Sequence, residues 1–254
     1  MKKLFTAILT AIVFFGLNTA NAQNSTTNVG GMIKFQTYGG PDANAFYIPS
    51  DRATDRVLIV FHEWYGLTDN IKKEAQNWQK QLDGNVAIYA IDLYDGKTTA
   101  EKYEAGKMMN NLDPKRAEAI IKGLLQKIGP GKQIATLGWG MGGTWAFTAA
   151  AIAGSNAVGC VMYYGYPVKD ESLISQFKTD VLYLYANHDE NISRADMEQF
   201  NKKVTAAGRG FEYETYNGAN GFANLGNPQL QKTERNETQR FALKFLKHKL
   251  SLEQ

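Results

Sequence analysis

The chain has 254 residues, 28 Lys and Arg against 25 Asp and Glu, a net charge of +3 and a hydrophobic fraction of 44%. That is enough apolar material for one α/β domain with a substantial core. The near balance of charge leaves no basic patch that would argue for a nucleic-acid partner, and a lone cysteine, Cys160, excludes an internal disulfide.

Residues 1–22 read as a signal peptide. Lys2 and Lys3 precede an apolar run from Leu4 to Leu17, and Ala20-Asn21-Ala22 supplies a small-residue cleavage site before Gln23. The apolar run is short for a membrane span, so no membrane anchor is expected after cleavage and the product is expected to be exported, periplasmic or extracellular. Residues 23–31 are polar and glycine-containing and are expected to form a flexible lead-in. No linker, repeat or low-complexity tract divides residues 32–254, which are expected to form a single domain.

Within that domain Met32 to Tyr38 and Ala43 to Ile48 alternate as strands around Gly39-Gly40-Pro41-Asp42, an antiparallel hairpin at a sheet edge. Val57 to Phe61 (VLIVF) is a continuous apolar run, as expected of a strand buried on both faces of a parallel sheet. It leads into the loop His62-Glu63-Trp64-Tyr65-Gly66. Thr68 or Asp69 is expected to cap a helix to about Leu82, with Ile71, Ala75, Trp78 and Leu82 at helical spacing. A strand over Val86 to Ile91 follows, ending in Asp92-Leu93-Tyr94-Asp95-Gly96. Helices are expected over Ala100 to Asn110 and Pro114 to Ile128, the second with proline as its first residue.

Gln133 to Leu137 is the next strand, and Gly142 to Ala153 the helix after it. Strands over Val158 to Tyr164, Val181 to Ala186 and Phe211 to Tyr216 alternate with a helix over Arg194 to Ala207. A long closing helix is expected over Pro228 to Leu250. This alternation predicts a mostly parallel sheet with helices on both faces, and a ligand crevice at the carboxyl ends of its strands. Glu63, Gly140, Asp189 and Asn220 are expected at that edge.

The segment Gly138-Trp139-Gly140-Met141-Gly142-Gly143 has the spacing of a nucleophile elbow, G-x-Nuc-x-G-G, with glycine where the nucleophile belongs. A dinucleotide-binding loop fits poorly. Such a loop sits on the first βα unit with an acid about 20 residues on, and no acid occupies that distance here. Downstream, VLYLY runs into Ala186-Asn187-His188-Asp189, and later comes Tyr216-Asn217-Gly218-Ala219-Asn220-Gly221-Phe222.

Taken together, FHEWYGL, GWGMGG, YYGYPV, ANHDENI and YNGANGFANLGNP resemble, in order and spacing, the dienelactone hydrolase family. The resemblance covers nearly all of the chain after residue 22 and implies an α/β-hydrolase fold and a chemistry of small ester and lactone hydrolysis. It places Glu63 at the family's glutamate, Asp189 at the triad acid, and Trp64 and Met141 where backbone N–H groups form the oxyanion hole. The nucleophile position holds Gly140 and the histidine position holds Asn220. Glycine has no group with which to attack, and an amide is no general base near neutral pH. Asn224 stands where dienelactone-cleaving members carry an arginine for the substrate carboxylate.

The resemblance therefore implies a noncatalytic relative that keeps the pocket for a small ester, lactone or apolar ligand, with any protein partner unknown. The alternatives are a hydrolase with a rearranged site, in which Glu63 or Asp189 activates water, and an ester or lactone hydrolase whose two catalytic residues have been altered. Tyr65, Tyr94, Trp139 and Tyr164, near strand ends, are expected in the pocket with Asn224. No cofactor is expected. His62 and His188 flank the two acids but lack metal-ligand spacing, so no metal is expected. Plainer roles stand beside these: Asp189 as a turn cap, Glu63 as a solvated loop acid, Cys160 as a buried thiol.

Overall fold

The structure, a computed structural model, describes residues 30–224 and 232–253. The expected signal peptide, most of the expected lead-in, and the proposed start of the closing helix at Pro228 lie outside the described residues.

Eight strands form one sheet: β1 (Gly31–Phe35), β2 (Ala43–Ile48), β3 (Arg56–Phe61), β4 (Ala87–Ile91), β5 (Gln133–Trp139), β6 (Ala157–Tyr163), β7 (Val181–Ala186) and β8 (Phe211–Tyr216). Their spatial order is β1-β2-β4-β3-β5-β6-β7-β8. The hairpin pair β1–β2 and the pair β2–β4 are antiparallel, and all other pairs are parallel. β1 is shorter than its alternation suggests, because pairing stops at Phe35 opposite Ala43 and Thr37 turns its hydroxyl onto the Pro41 carbonyl.

The helices are α1 (Asp69–Gln81), α2 (Lys102–Asn110), α3 (Pro114–Ile128), α4 (Met141–Ala153), α5 (Glu171–Gln176), α6 (Arg194–Ala206) and α7 (Lys232–Lys249). α2 begins two residues later than its pattern suggests, since Glu101 is extended and its N–H is held by Thr99 Oγ1. β3 shows why its sequence is continuously apolar. Val57, Ile59 and Phe61 pack under α3 and α4 with Ile120, Leu124 and Phe147. Leu58 and Val60 pack on the other side with Ile71 and Trp78 of α1 and Phe245 of α7. Each fully buried side chain of this kind contributes roughly 1.5–3 kcal/mol.

The strand order also locates the crevice. The connection leaving β3 runs through α1 to β4 on one side, and the connection leaving β5 runs through α4 to β6 on the other. Between the carboxyl ends of β3 and β5 the connections diverge, and a crevice opens there.

Candidate functional site

The turn from β5 into α4 is held by backbone contacts that only glycine permits. A Cβ on Gly142 would lie 2.3 Å from the His62 carbonyl oxygen, and one on Gly138 would lie 2.1 Å from the Gly142 carbonyl oxygen. Close approach at these two positions lets the helix start directly above the strand end. Gly140, between them, has φ 55° and ψ −126°, a conformation that strains any L side chain. Its N–H donates to the Tyr163 carbonyl oxygen at 2.9 Å. A Cβ on Gly140 would meet nothing within 4 Å. The position thus has the backbone of an elbow and empty space above it.

That space belongs to a cavity of about 500 Å³ lined by Glu63, Trp64, Tyr65, Lys102, Met109, Gly140, Met141, Tyr166, His188, Glu190, Asn191, Ala219, Asn220, Gly221 and Asn224. Met141 is the first residue of α4, where an N–H has no partner within the helix. Trp64 comes from the loop after β3 on the opposite wall. The amides expected at an oxyanion hole therefore border one cavity.

Asp189 follows β7 and Asn220 follows β8. The two meet: Asn220 Nδ2 donates to Asp189 Oδ2 at 2.8 Å. The remaining oxygen, Asp189 Oδ1, accepts the N–H groups of Asn191 at 2.9 Å and Ile192 at 3.2 Å. The turn-cap role and the pairing role of Asp189 thus coexist on different oxygens.

Glu63 is no solvated loop acid. It is buried, and Tyr164 donates its hydroxyl to Glu63 Oε1 at 3.0 Å. Burial pushes the carboxyl up to about 8, and the Tyr164 hydrogen bond offsets only part of that rise. Tyr164 reaches this place at a backbone cost, since it is a non-glycine residue at φ 38°. Its carbonyl oxygen also lies 3.4 Å from Asn220 Nδ2.

His62 is fully occupied by backbone. The Leu93 N–H donates to Nε2 at 3.1 Å, which puts the ring proton on Nδ1, and that nitrogen donates to the Glu63 carbonyl oxygen at 2.7 Å. Burial holds its pKa below the ordinary value and keeps the ring neutral. His188 stands at the cavity rim with Nε2 against Asn217 Oδ1. Among the described residues no group of three or more His, Cys, Asp or Glu could hold a metal ion.

Three of the aromatics expected in the pocket are absent from its wall. β5 continues two residues past its expected end, and alternation turns Trp139 to the α1 and α7 side, where its ring centroid lies 5.4 Å from that of Tyr163. Tyr94 lies behind the wall and donates its hydroxyl to Met141 Sδ at 2.9 Å. Tyr164 is wholly buried under Glu63. Tyr65 and Asn224 do line the cavity, joined by Tyr166 and by residues the sequence reading did not assign to it, among them Lys102, Met109 and Asn191. Lys102 and Met109, near the two ends of α2, reach the cavity only through the tertiary fold, and no local pattern marked them.

A sheet of this order, with a glycine-tight turn after β5 and the Asp189–Asn220 pair facing it, defines the α/β-hydrolase class. Comparison with known proteins narrows this. The model of the dienelactone hydrolase family matches residues 43–250, and the chain belongs to that family. Over 199 residues it is 23% identical to the "Putative carboxymethylenebutenolidase" of Aquifex aeolicus, a match covering 75% of this chain and 85% of that protein. Over 198 residues it is 26% identical to "Protein usf" of Aquifex pyrophilus, again covering 75% of this chain and 85% of the other. Among solved structures, a dienelactone hydrolase-like promiscuous phosphotriesterase from metagenomic libraries superimposes with a TM-score of 0.70 at 16% identity, covering 86% of this chain and 98% of that one.

Proposed function

We propose that this member of the dienelactone hydrolase family binds a small ester, lactone or apolar molecule in the cavity over Gly140 and does not cleave it by the family's mechanism. The observation that carries the reading is the 2.8 Å bond from Asn220 to Asp189, opposite a Gly140 with no side chain. The acid orients an amide where the family has an imidazole, and no nucleophile stands across from it. Loss of a single nucleophile or base can cost on the order of 10⁶ in turnover, while oxyanion donors and binding alone leave about 10³–10⁴ over water.

A second reading is favoured by one feature. Glu63 borders the same cavity with a carboxyl pushed up to about 8, a value suited to a general base acting on water near neutral pH. Short-chain aryl esters and small lactones, followed for both binding and hydrolysis, separate the two. Saturable binding without turnover supports the binding reading. Turnover that survives Asp189→Ala and disappears in Glu63→Gln supports the second. Turnover abolished by Asp189→Ala overturns both in favour of an altered family mechanism.

Export is part of the proposal, resting on Lys2-Lys3, the apolar run and Ala20-Asn21-Ala22. Among the described residues no helix is long and apolar enough to cross a membrane. Intact mass of the exported protein is expected to place its first residue at Gln23, and retention of Met1 would refute this.

A further inference from the structure

The cavity contains one acid to which simple binding gives no task. Glu63 is 5% exposed and borders both the cavity over Gly140 and a neighbouring cavity of about 410 Å³ lined by Tyr65, Gly66, Ile71, Thr99 and Lys102. Among the described residues no ion pair includes it. Among the described residues its one side-chain hydrogen bond comes from the Tyr164 hydroxyl, on Oε1. A carboxyl removed from water with a neutral donor and no cation is held at lower cost as the acid than as the anion. With Oε1 committed as an acceptor, the acid proton belongs on Oε2. Position 140 puts no side chain into the space above the elbow, since even a Cβ there would meet nothing within 4 Å.

We propose, resting on the binding reading above, that Glu63 is the hydrogen-bond donor that selects the ligand. Its protonated carboxyl keeps the Tyr164 hydroxyl on Oε1 and gives the Oε2–H to a carbonyl-type oxygen of the bound molecule. The ligand class is thereby one with an exposed carbonyl acceptor, and binding requires the proton. When Glu63 ionises, the donor becomes a second acceptor, and two oxygen lone pairs face each other. Because burial places this ionisation at about 8, the selectivity is fully present at neutral pH.

Other titratable or charged groups surround Glu63. Tyr164 and Tyr166 follow β6, Tyr65 shares the loop after β3, Lys102 opens α2, His188 and Glu190 follow β7, and Asp189 between them holds Asn220 of the cavity wall. His62 lies behind, with both ring nitrogens used by backbone. Glu63→Gln separates its titration from theirs, because a glutamine amide can keep its oxygen toward Tyr164 and still offers N–H to the cavity at every pH.

The test uses cyclohexanone, a carbonyl compound that does not titrate and has no ester bond to cleave, with binding read from NMR shift changes between about pH 5.5 and about pH 9.5. Affinity for the wild-type protein is expected to be level below about pH 7 and to fall about tenfold per unit above about pH 8, as for a single required proton. In Glu63→Gln the profile is expected to be flat. In Tyr164→Phe the midpoint is expected to move to higher pH, because the lost hydroxyl favours the ionised form. No saturable binding at about pH 6, a flat wild-type profile, or a fall that persists in Glu63→Gln would each overturn the proposal. Turnover of esters or lactones by the wild-type protein would instead overturn the binding reading, and cyclohexanone cannot report it.

Discussion

Replacing Gly140 by Cys and Asn220 by His in one chain is expected to create hydrolysis of small activated esters, and the structure sets the magnitude. A Cβ at position 140 meets nothing within 4 Å, so a side chain starts into the cavity there without a clash at its first atom. The backbone there, at φ 55° and ψ −126°, strains an L side chain by about 1–3 kcal/mol. Loss of glycine's unfolded-state entropy returns about 0.4–1 kcal/mol. Denaturant curves should therefore find the double variant folded but less stable by roughly 1–2 kcal/mol. At position 220 the imidazole Nδ1–H is expected to take over the 2.8 Å bond to Asp189 Oδ2, leaving Nε2 toward the elbow. General-base catalysis contributes about 10²–10⁴, so 4-nitrophenyl acetate should be cleaved at least about 10² faster by the double variant than by either single variant. Each single variant lacks the partner of its new group, and such residues act as a unit. Adding Asp189→Asn should lower the rate again by losing the orientation of the ring. A folded double variant that stays at background would refute the assignment of positions 140 and 220.

Glu63 should make stability pH-dependent: its carboxyl titrates near 4.5 when unfolded and near 8 when folded, so its favourable contribution is complete below the lower value and lost by the upper. Urea titrations should show Glu63→Gln gaining on the wild type as pH rises through that window, with a ceiling of about 5 kcal/mol at about 1.4 kcal/mol per pH unit, and equal pH profiles would refute a buried acid. Gly142→Ala brings a Cβ within 2.3 Å of the His62 carbonyl oxygen, and thermal unfolding should report a loss of at least about 1–3 kcal/mol, whereas a neutral effect would refute the tight turn. The Cys160 thiol is fully buried and pushed up to about 12 by desolvation, so native protein should resist thiol reagents until it is unfolded, and stoichiometric labelling of the native state would contradict this.

The sheet was readable from the chain wherever one periodicity dominated a segment. β2, β7, β8 and α3 have the bounds expected, because their apolar spacing ends at turn residues or, for α3, at Asp113-Pro114 and Gly129. α5 was not readable: ESLISQ is shorter than two helical turns, and its start depends on the Asp170 side chain accepting the N–H groups of Ser172 and Leu173. The elbow with glycine at its centre was legible from spacing, whereas the place of Asn220 came from the resemblance to the family and not from any local pattern. The pocket wall was less so. Whether a strand-end aromatic faces ligand or core depends on where the strand stops, and the two extra residues of β5 sent Trp139 into the core. The locked ring of His62 depends on a backbone amide 31 residues away, which no local pattern records.

The bond between Asn220 and Asp189 has a consequence for which substitutions position 220 can tolerate. Asp189 gives one oxygen to its own turn and the other to the facing loop, so a residue without a donor at position 220 would remove the partner of a half-buried carboxylate and leave it short of a hydrogen bond. An asparagine amide supplies the same N–H that an imidazole would, at the same reach. Exchange between histidine and asparagine here keeps a donor on Asp189, whereas alanine or leucine would remove it and leave the β7 and β8 loops joined by the His188–Asn217 pair and the bonds of Asn187, His188 and Gly218. At this position holding the rim and supplying a base are separate demands, and an amide side chain answers only the first.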